Sequence, residues 1–142
     1  MKPLAHVGVS GLVSILVGAY FKSFGCAILS FVAGVFVDLD HVLDYYLNHG
    51  FTLQASKIYY ACLEFNLKRI YILLHSYEVI ILFWVWLFLR GQGNLYTAIA
   101  IGMTQHVVFD QLTNPLDGLG YFLTYRIIKG FDKNLLIKER NR

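Results

Sequence analysis

His106 and Asp110 lie four apart in the run Met103-Thr-Gln-His-Val-Val-Phe-Asp-Gln-Leu-Thr-Asn-Pro115. On an α-helix each residue advances about 100°, so side chains four apart sit roughly 40° apart on one face. Asn114 extends that stripe by one turn. Asn114-Pro115 then ends the helix, because the residue before a proline is pushed out of the α region. An imidazole and a carboxylate stacked in this way can ligate one metal ion. They can equally be a helix-end histidine bonded to an acid. The pair gains meaning only if other parts of the chain send similar groups to the same place.

Three other stretches carry such groups. His6 stands near the start of the chain. Asp38-Leu-Asp-His41 closes an apolar run; Asp38 and His41 are three apart and share a face, while Asp40 points away from them and lies four before Asp44. His75 and Glu78 are three apart in the most apolar stretch, a spacing used where a carboxylate and a histidine bind metal inside helical bundles. An acid at membrane depth is costly unless paired or hydrated, so Glu78 must face a partner, a metal or water, or be protonated. His49, before Gly50, reads as an exposed loop histidine. The candidate ligand set is therefore His6, Asp38, Asp40, His41, His75, Glu78, His106 and Asp110. Such a set can hold one to three divalent ions, zinc foremost. A bound zinc lowers the pKa of its water toward about 7, and two ions can clamp a phosphodiester. Glu78 and Asp40 are the candidate general bases.

Positioning these residues falls to apolar helices. The 142 residues are 57% hydrophobic and 15% charged, with a mean hydropathy of +0.55. Soluble domains are about 45–50% apolar and about 25% charged. The expectation is an all-α integral membrane bundle in one domain, with about four transmembrane helices near residues 3–21, 23–41, 70–89 and 95–113. The second reaches full length only if its helix continues into Asp38–His41. A cleavable signal peptide is the rival reading of the first span, but Pro3 and His6 interrupt its apolar core and no A-x-A site follows. Ser10, Ser14 and Gly18 form a small-residue stripe suited to close helix packing. Amphipathic helices are expected near 51–67, where Phe51, Ala55, Ile58, Tyr59, Cys62 and Phe65 repeat at helical spacing, and near 119–130.

The net charge of +3 suits cations flanking spans, not a nucleic-acid surface. Cys26 and Cys62 form no CxxC pair, so neither a disulfide framework nor a zinc knuckle is implied. The positive-inside rule puts the basic tail after Arg126 and the Lys57/Lys68/Arg69 loop in the cytoplasm, with Lys22 and Arg90–Asn94 at outer turns. Both termini are then cytoplasmic, and all eight candidate ligands fall at the cytoplasmic helix ends.

The ordered set of His6, Val-Asp38-Leu-Asp40-His41, Leu-His75-Ser-Tyr-Glu78 and His106-Val-Val-Phe-Asp110 resembles the membrane-bound metal-dependent hydrolase family of the bacterial inner membrane, over roughly residues 1–115. That family is itself distantly similar to zinc-dependent phospholipases C. Val37 stands where the family usually has proline, and Tyr71–Leu74 where it often has Arg-Gly-x-Thr. The resemblance implies a multi-pass inner-membrane hydrolase with a divalent metal, in contact with membrane lipids. A cavity at the headgroup level would suit a lipid phosphate, so a phosphoester or lipid-type substrate is expected, and a homo-oligomer is compatible with the sequence. The alternative is a non-enzymatic protein that binds metal or protons for transport or sensing, or whose polar residues only join the helices.

Overall fold

The computed structural model describes residues 3–63 and 66–137. Lys2, Glu64, Phe65 and the cations Lys138, Arg140 and Arg142 lie outside them. Among the described residues the chain is helical, with no strand and two isolated antiparallel bridges. The helices are α1 (Pro3–Phe21), α2 (Phe24–Phe36), α3 (Asp40–His49), α4 (Ala55–Leu63), α5 (Tyr77–Arg90), α6 (Asn94–Thr113), α7 (Leu123–Ile128) and α8 (Lys133–Leu136). A 3-10 turn, Val37–Leu39, joins α2 to α3 without a break. The apolar helix thus does run on through Asp38–His41, and it ends only at His49, where Gly50 takes φ +83.

That continuous helix, Phe24–His49, is long and apolar enough to cross a membrane, with mean hydropathy 1.8. Only 28% of its most apolar window is buried, which is unlike the core helix of a water-soluble fold. Ala5–Phe21 is a shorter apolar helix. The third stretch departs from expectation. Residues 66–76 are extended or bent, and α5 starts at Tyr77. Ser76 is its N-cap in an extended conformation, and Gly91 closes it with φ +58.

Polar and apolar groups are distributed inside out. Leu12, Ile15, Leu16, Phe24, Phe36, Leu82, Phe88, Leu89 and Leu112 are exposed, whereas His6, Ser10, Ser14, Ser30, Asp40, Asp44, His75, His106, Asp110 and Arg126 are buried. Buried polar side chains and large exposed apolar ones are the informative deviations from ordinary partitioning.

α1, α2 and α6 pack on one another through small residues. Gln105 Nε2 donates to Ser10 Oγ at 2.8 Å, joining α6 to α1. Ser10 and Ser14 of the expected stripe are buried, and a Cβ on Gly18 would stand 2.7 Å from that of Ala27. The tightest approach is at Gly102, where any side chain would run into the backbone carbonyl of Ser30. Backbone cannot swing aside as a rotamer can. Gly102→Ala is therefore expected to lower the stability of the purified protein by roughly 1–3 kcal/mol, the usual cost of overpacking, read as a lowered midpoint of thermal unfolding.

Beyond the helix ends, a second layer closes the fold. Val37, Ile70, Ile72, Ile80, Val107, Leu116, Tyr121 and Leu136 form its apolar core. The 66–76 segment runs along α3, and 114–137 folds back over it.

Candidate metal centre

The first turns of α1 supply His6, the α2–α3 junction Asp38, Asp40 and His41, the extended segment His75, and the last turns of α6 His106 and Asp110. Helical periodicity alone places His106 and Asp110 on one face, with Nε2 and Oδ2 3.9 Å apart. His6 Nε2 lies 3.0 Å from Asp110 Oδ1. His75 Nε2 is 3.2 Å from both Asp110 Oδ2 and His106 Nε2. Asp38 Oδ1 is 3.3 Å from His106 Nε2 and 3.8 Å from both His75 Nε2 and His41 Nε2. Two groups result, His6/His106/Asp110 and Asp38/His41/His75, each offering three ligand atoms within 4.8 Å of one another. They adjoin through His75 and His106.

Four donors bound tetrahedrally about 2.1 Å from a zinc ion stand about 3.4 Å from one another. The contacts here bracket that spacing. Several are also close without being hydrogen bonds. Asp38 Oδ1, Asp110 Oδ1 and His41 Nε2 are buried and have no hydrogen-bond partner. Leaving such atoms unsatisfied costs about 1–3 kcal/mol each. A divalent cation held by each group would give these atoms a partner, so the donor set fits a metal on grounds of chemistry and burial alike.

Asp40 has a different place from the one expected. Its Oδ2 accepts from the backbone N–H of Leu74 at 2.6 Å and lies 3.4 Å from His75 Nδ1. The other ring nitrogen, Nε2, faces the centre. A carboxylate behind a histidine fixes the ring and its tautomer. Asp40 thus stands behind His75 and belongs to neither ligand group. Asp40→Asn is expected to weaken metal binding about 10- to 100-fold, measured by titration against a competing chelator.

Glu78 stands apart from the cluster. The expected His75–Glu78 helical pair does not form, because α5 begins after His75. Glu78 Oε2 accepts from Leu123 N at 2.8 Å, and Oε1 accepts from Thr124 N at 2.9 Å and Thr124 Oγ1 at 2.6 Å. It caps the start of α7 and sits in the first turn of α5, where a carboxylate suits the helix dipole. It touches none of the other seven residues.

Three residues outside the expected set hold the site together. Asp44 Oδ1 accepts from Tyr71 N at 2.8 Å, and Asn48 Oδ1 accepts from Lys68 N and Arg69 N at 3.0 and 2.9 Å. Asp40, Asp44 and Asn48, spaced four apart, thus form one polar stripe on α3 that fastens the extended segment; the spacing itself was the available signal. Arg126, where the basic tail of the sequence begins, is fully buried. Its guanidinium donates to the carbonyls of Tyr71 and Ile72, each at 2.5 Å, and to Ser76 Oγ. Its partners are mostly backbone carbonyls, which no residue pattern announces. His49, expected as an exposed loop histidine, is exposed but is the last residue of α3, 2.7 Å from the Asn66 carbonyl.

A small cavity of about 20 Å³ borders the centre, lined by His41, Asp44, Cys62, Asp110 and Asn114 among others. That is room for about one water. Compared with protein-family models, with curated proteins and with solved structures, the chain has no match in any of the three.

Proposed function

We propose that this protein is a membrane-embedded metal-dependent hydrolase acting on phosphoester or lipid-type substrates, in keeping with its resemblance to the membrane-bound metal-dependent hydrolases of the bacterial inner membrane. The observation that carries the reading is the junction of His6, His106 and Asp110 with Asp38, His41 and His75, with buried donor atoms that have no hydrogen-bond partner. These six residues would hold one or two divalent ions, zinc foremost. An ion there would supply Lewis-acid activation of water and of a phosphoryl oxygen. The chain's own residues set up the site: Asp40 orients His75, Asp44 and Arg126 hold its segment, and the apolar core of Ile70, Ile72 and Val107 keeps out bulk water.

The membrane reading rests on the outward apolar side chains of α1, α2, α5 and α6. Those helices, with α3 continuing α2, are the proposed four spans. α5, with 14 residues, would extend about 21 Å, so it reaches depth only together with the segment before it. The centre then sits at one membrane face, the cytoplasmic one by the positive-inside rule.

The test is elemental analysis of protein purified without a metal-binding tag, followed by a panel of phosphomonoesters, phosphodiesters and phospholipids. Near-stoichiometric divalent metal and chelator-sensitive hydrolysis are expected. Hydrolysis that persists in both His75→Ala and Asp110→Ala would overturn the proposal. A second reading, a metal- or proton-binding protein without turnover, is favoured by one observation: the cavity beside the centre, about 20 Å³, has room for a water and is too small for a phosphoester. Stoichiometric metal with no hydrolysis across the panel selects it.

A further inference from the structure

A second cavity, of about 600 Å³, shares Leu67 with the small cavity beside the candidate metal centre. It forms where 68–70 pairs with 131–133: Ile70 N donates to Phe131 O at 2.9 Å, and Lys133 N to Lys68 O at 3.3 Å. Four cations in and beside these segments line it, namely Lys68, Arg69, Lys129 and Lys133, against one carboxylate, Asp132. Asp132 Oδ1 is already engaged as the N-cap of α8, accepting from Asn134 N at 2.8 Å. Among the described residues none of the four cations has an ion-pair partner. Lys129 Nζ stands 5.5 Å from the Tyr125 ring centre, and Arg69 Nη1 only reaches Tyr71 Oη at 3.5 Å.

Four like charges around one concavity repel one another, and an anion relieves that repulsion. A phosphate group suits it: several acceptor oxygens for lysine ammonium groups and a planar guanidinium fork for two of them. The volume exceeds what inorganic phosphate needs and accommodates a glycerophosphate. Ile127, Ile128 and Leu135, which are 56%, 75% and 55% exposed, adjoin the cations. Apolar side chains beside a basic hollow are the arrangement that meets a phospholipid, tails on one and headgroup in the other.

We propose that this basic cavity binds a phosphate group, supplied by an anionic phospholipid headgroup. The site needs no metal, so it stands or falls separately from the hydrolase reading. The test uses the full chain in a neutral detergent, with dioleoylphosphatidic acid, dioleoylphosphatidylcholine and inorganic phosphate as separate probes, and native mass spectrometry and equilibrium dialysis as readouts. Phosphatidic acid is expected to be retained in preference to phosphatidylcholine. Its retention is expected to fall at least about tenfold in Lys68→Gln/Lys129→Gln/Lys133→Gln, since each lysine near an anionic surface contributes about fivefold. Metal content should be the same in both proteins. Lys129→Glu alone, a single surface change, is expected to show the same loss in smaller measure should the triple variant fail to fold. Variant-sensitive uptake of inorganic phosphate without lipid preference would keep the phosphate site and assign it to a soluble source. Undiminished phosphatidic acid retention in the variants, or no preference for it and no phosphate uptake in the parent, would overturn the proposal.

Discussion

Asp110→Ala is expected to strip the purified protein of its divalent metal, whereas Glu78→Gln leaves metal content unchanged. The contrast follows from geometry, since sequence spacing presents both carboxylates as ligands. Asp110 meets His6 at 3.0 Å through Oδ1 and His75 at 3.2 Å through Oδ2, and it joins the two halves of the centre. Changes one layer behind a ligand already cost about 10- to 100-fold in affinity, so removal of a ligand shared in this way should exceed a hundredfold. Glu78 spends both oxygens on the start of α7. An amide can accept at only one of those positions, so Glu78→Gln should cost about 1–2 kcal/mol of stability, the range of a lost cap, with the centre intact. Elemental analysis and thermal unfolding of the two variants separate these outcomes. Metal retained in Asp110→Ala, or lost in Glu78→Gln, would show that the contacts around the centre do not define its ligands.

The difference between these two carboxylates shows where sequence reasoning reaches its limit. His106 with Asp110, and Asp38 with His41, were readable because each pair lies on continuous helix and the helical repeat fixes which side chains share a face. The passage of α2 into α3 was readable for the same reason. His75 and Glu78 share a face only if both lie on one helix, and they do not. The apolar content of 70–89 suggested a span, but Ile70 and Ile72 are buried on either side of the partly exposed Tyr71, the spacing of two that belongs to extended chain. What keeps that stretch extended is remote in sequence. Asp40 and Asp44 take the N–H groups of Leu74 and Tyr71, and Arg126 takes the carbonyls of Tyr71 and Ile72. Local propensity does not register partners 27 to 55 residues away. The α3 stripe of Asp40, Asp44 and Asn48 was visible as spacing, yet its partners are backbone groups with no signature of their own.

Arg126→Met is expected to be the most damaging substitution outside the centre, lowering stability by roughly 3 kcal/mol or more and reducing metal content with it. Arg126 is fully buried, and burial pulls its pKa below the ordinary arginine value. It tolerates that position because its guanidinium reaches the carbonyls of Tyr71 and Ile72 and the hydroxyl of Ser76 together. Methionine fills similar volume but leaves those buried acceptors unpaired. The segment they belong to carries His75, so loosening it displaces a ligand of the centre. Lysine does not rescue the loss, because one ammonium cannot span acceptors that a planar fork reaches from two nitrogens. Arg126→Lys should therefore resemble Arg126→Met in unfolding midpoint and in metal affinity. A parent-like midpoint and metal content in Arg126→Met would mean that the segment bearing His75 is held by Asp40 and Asp44 alone.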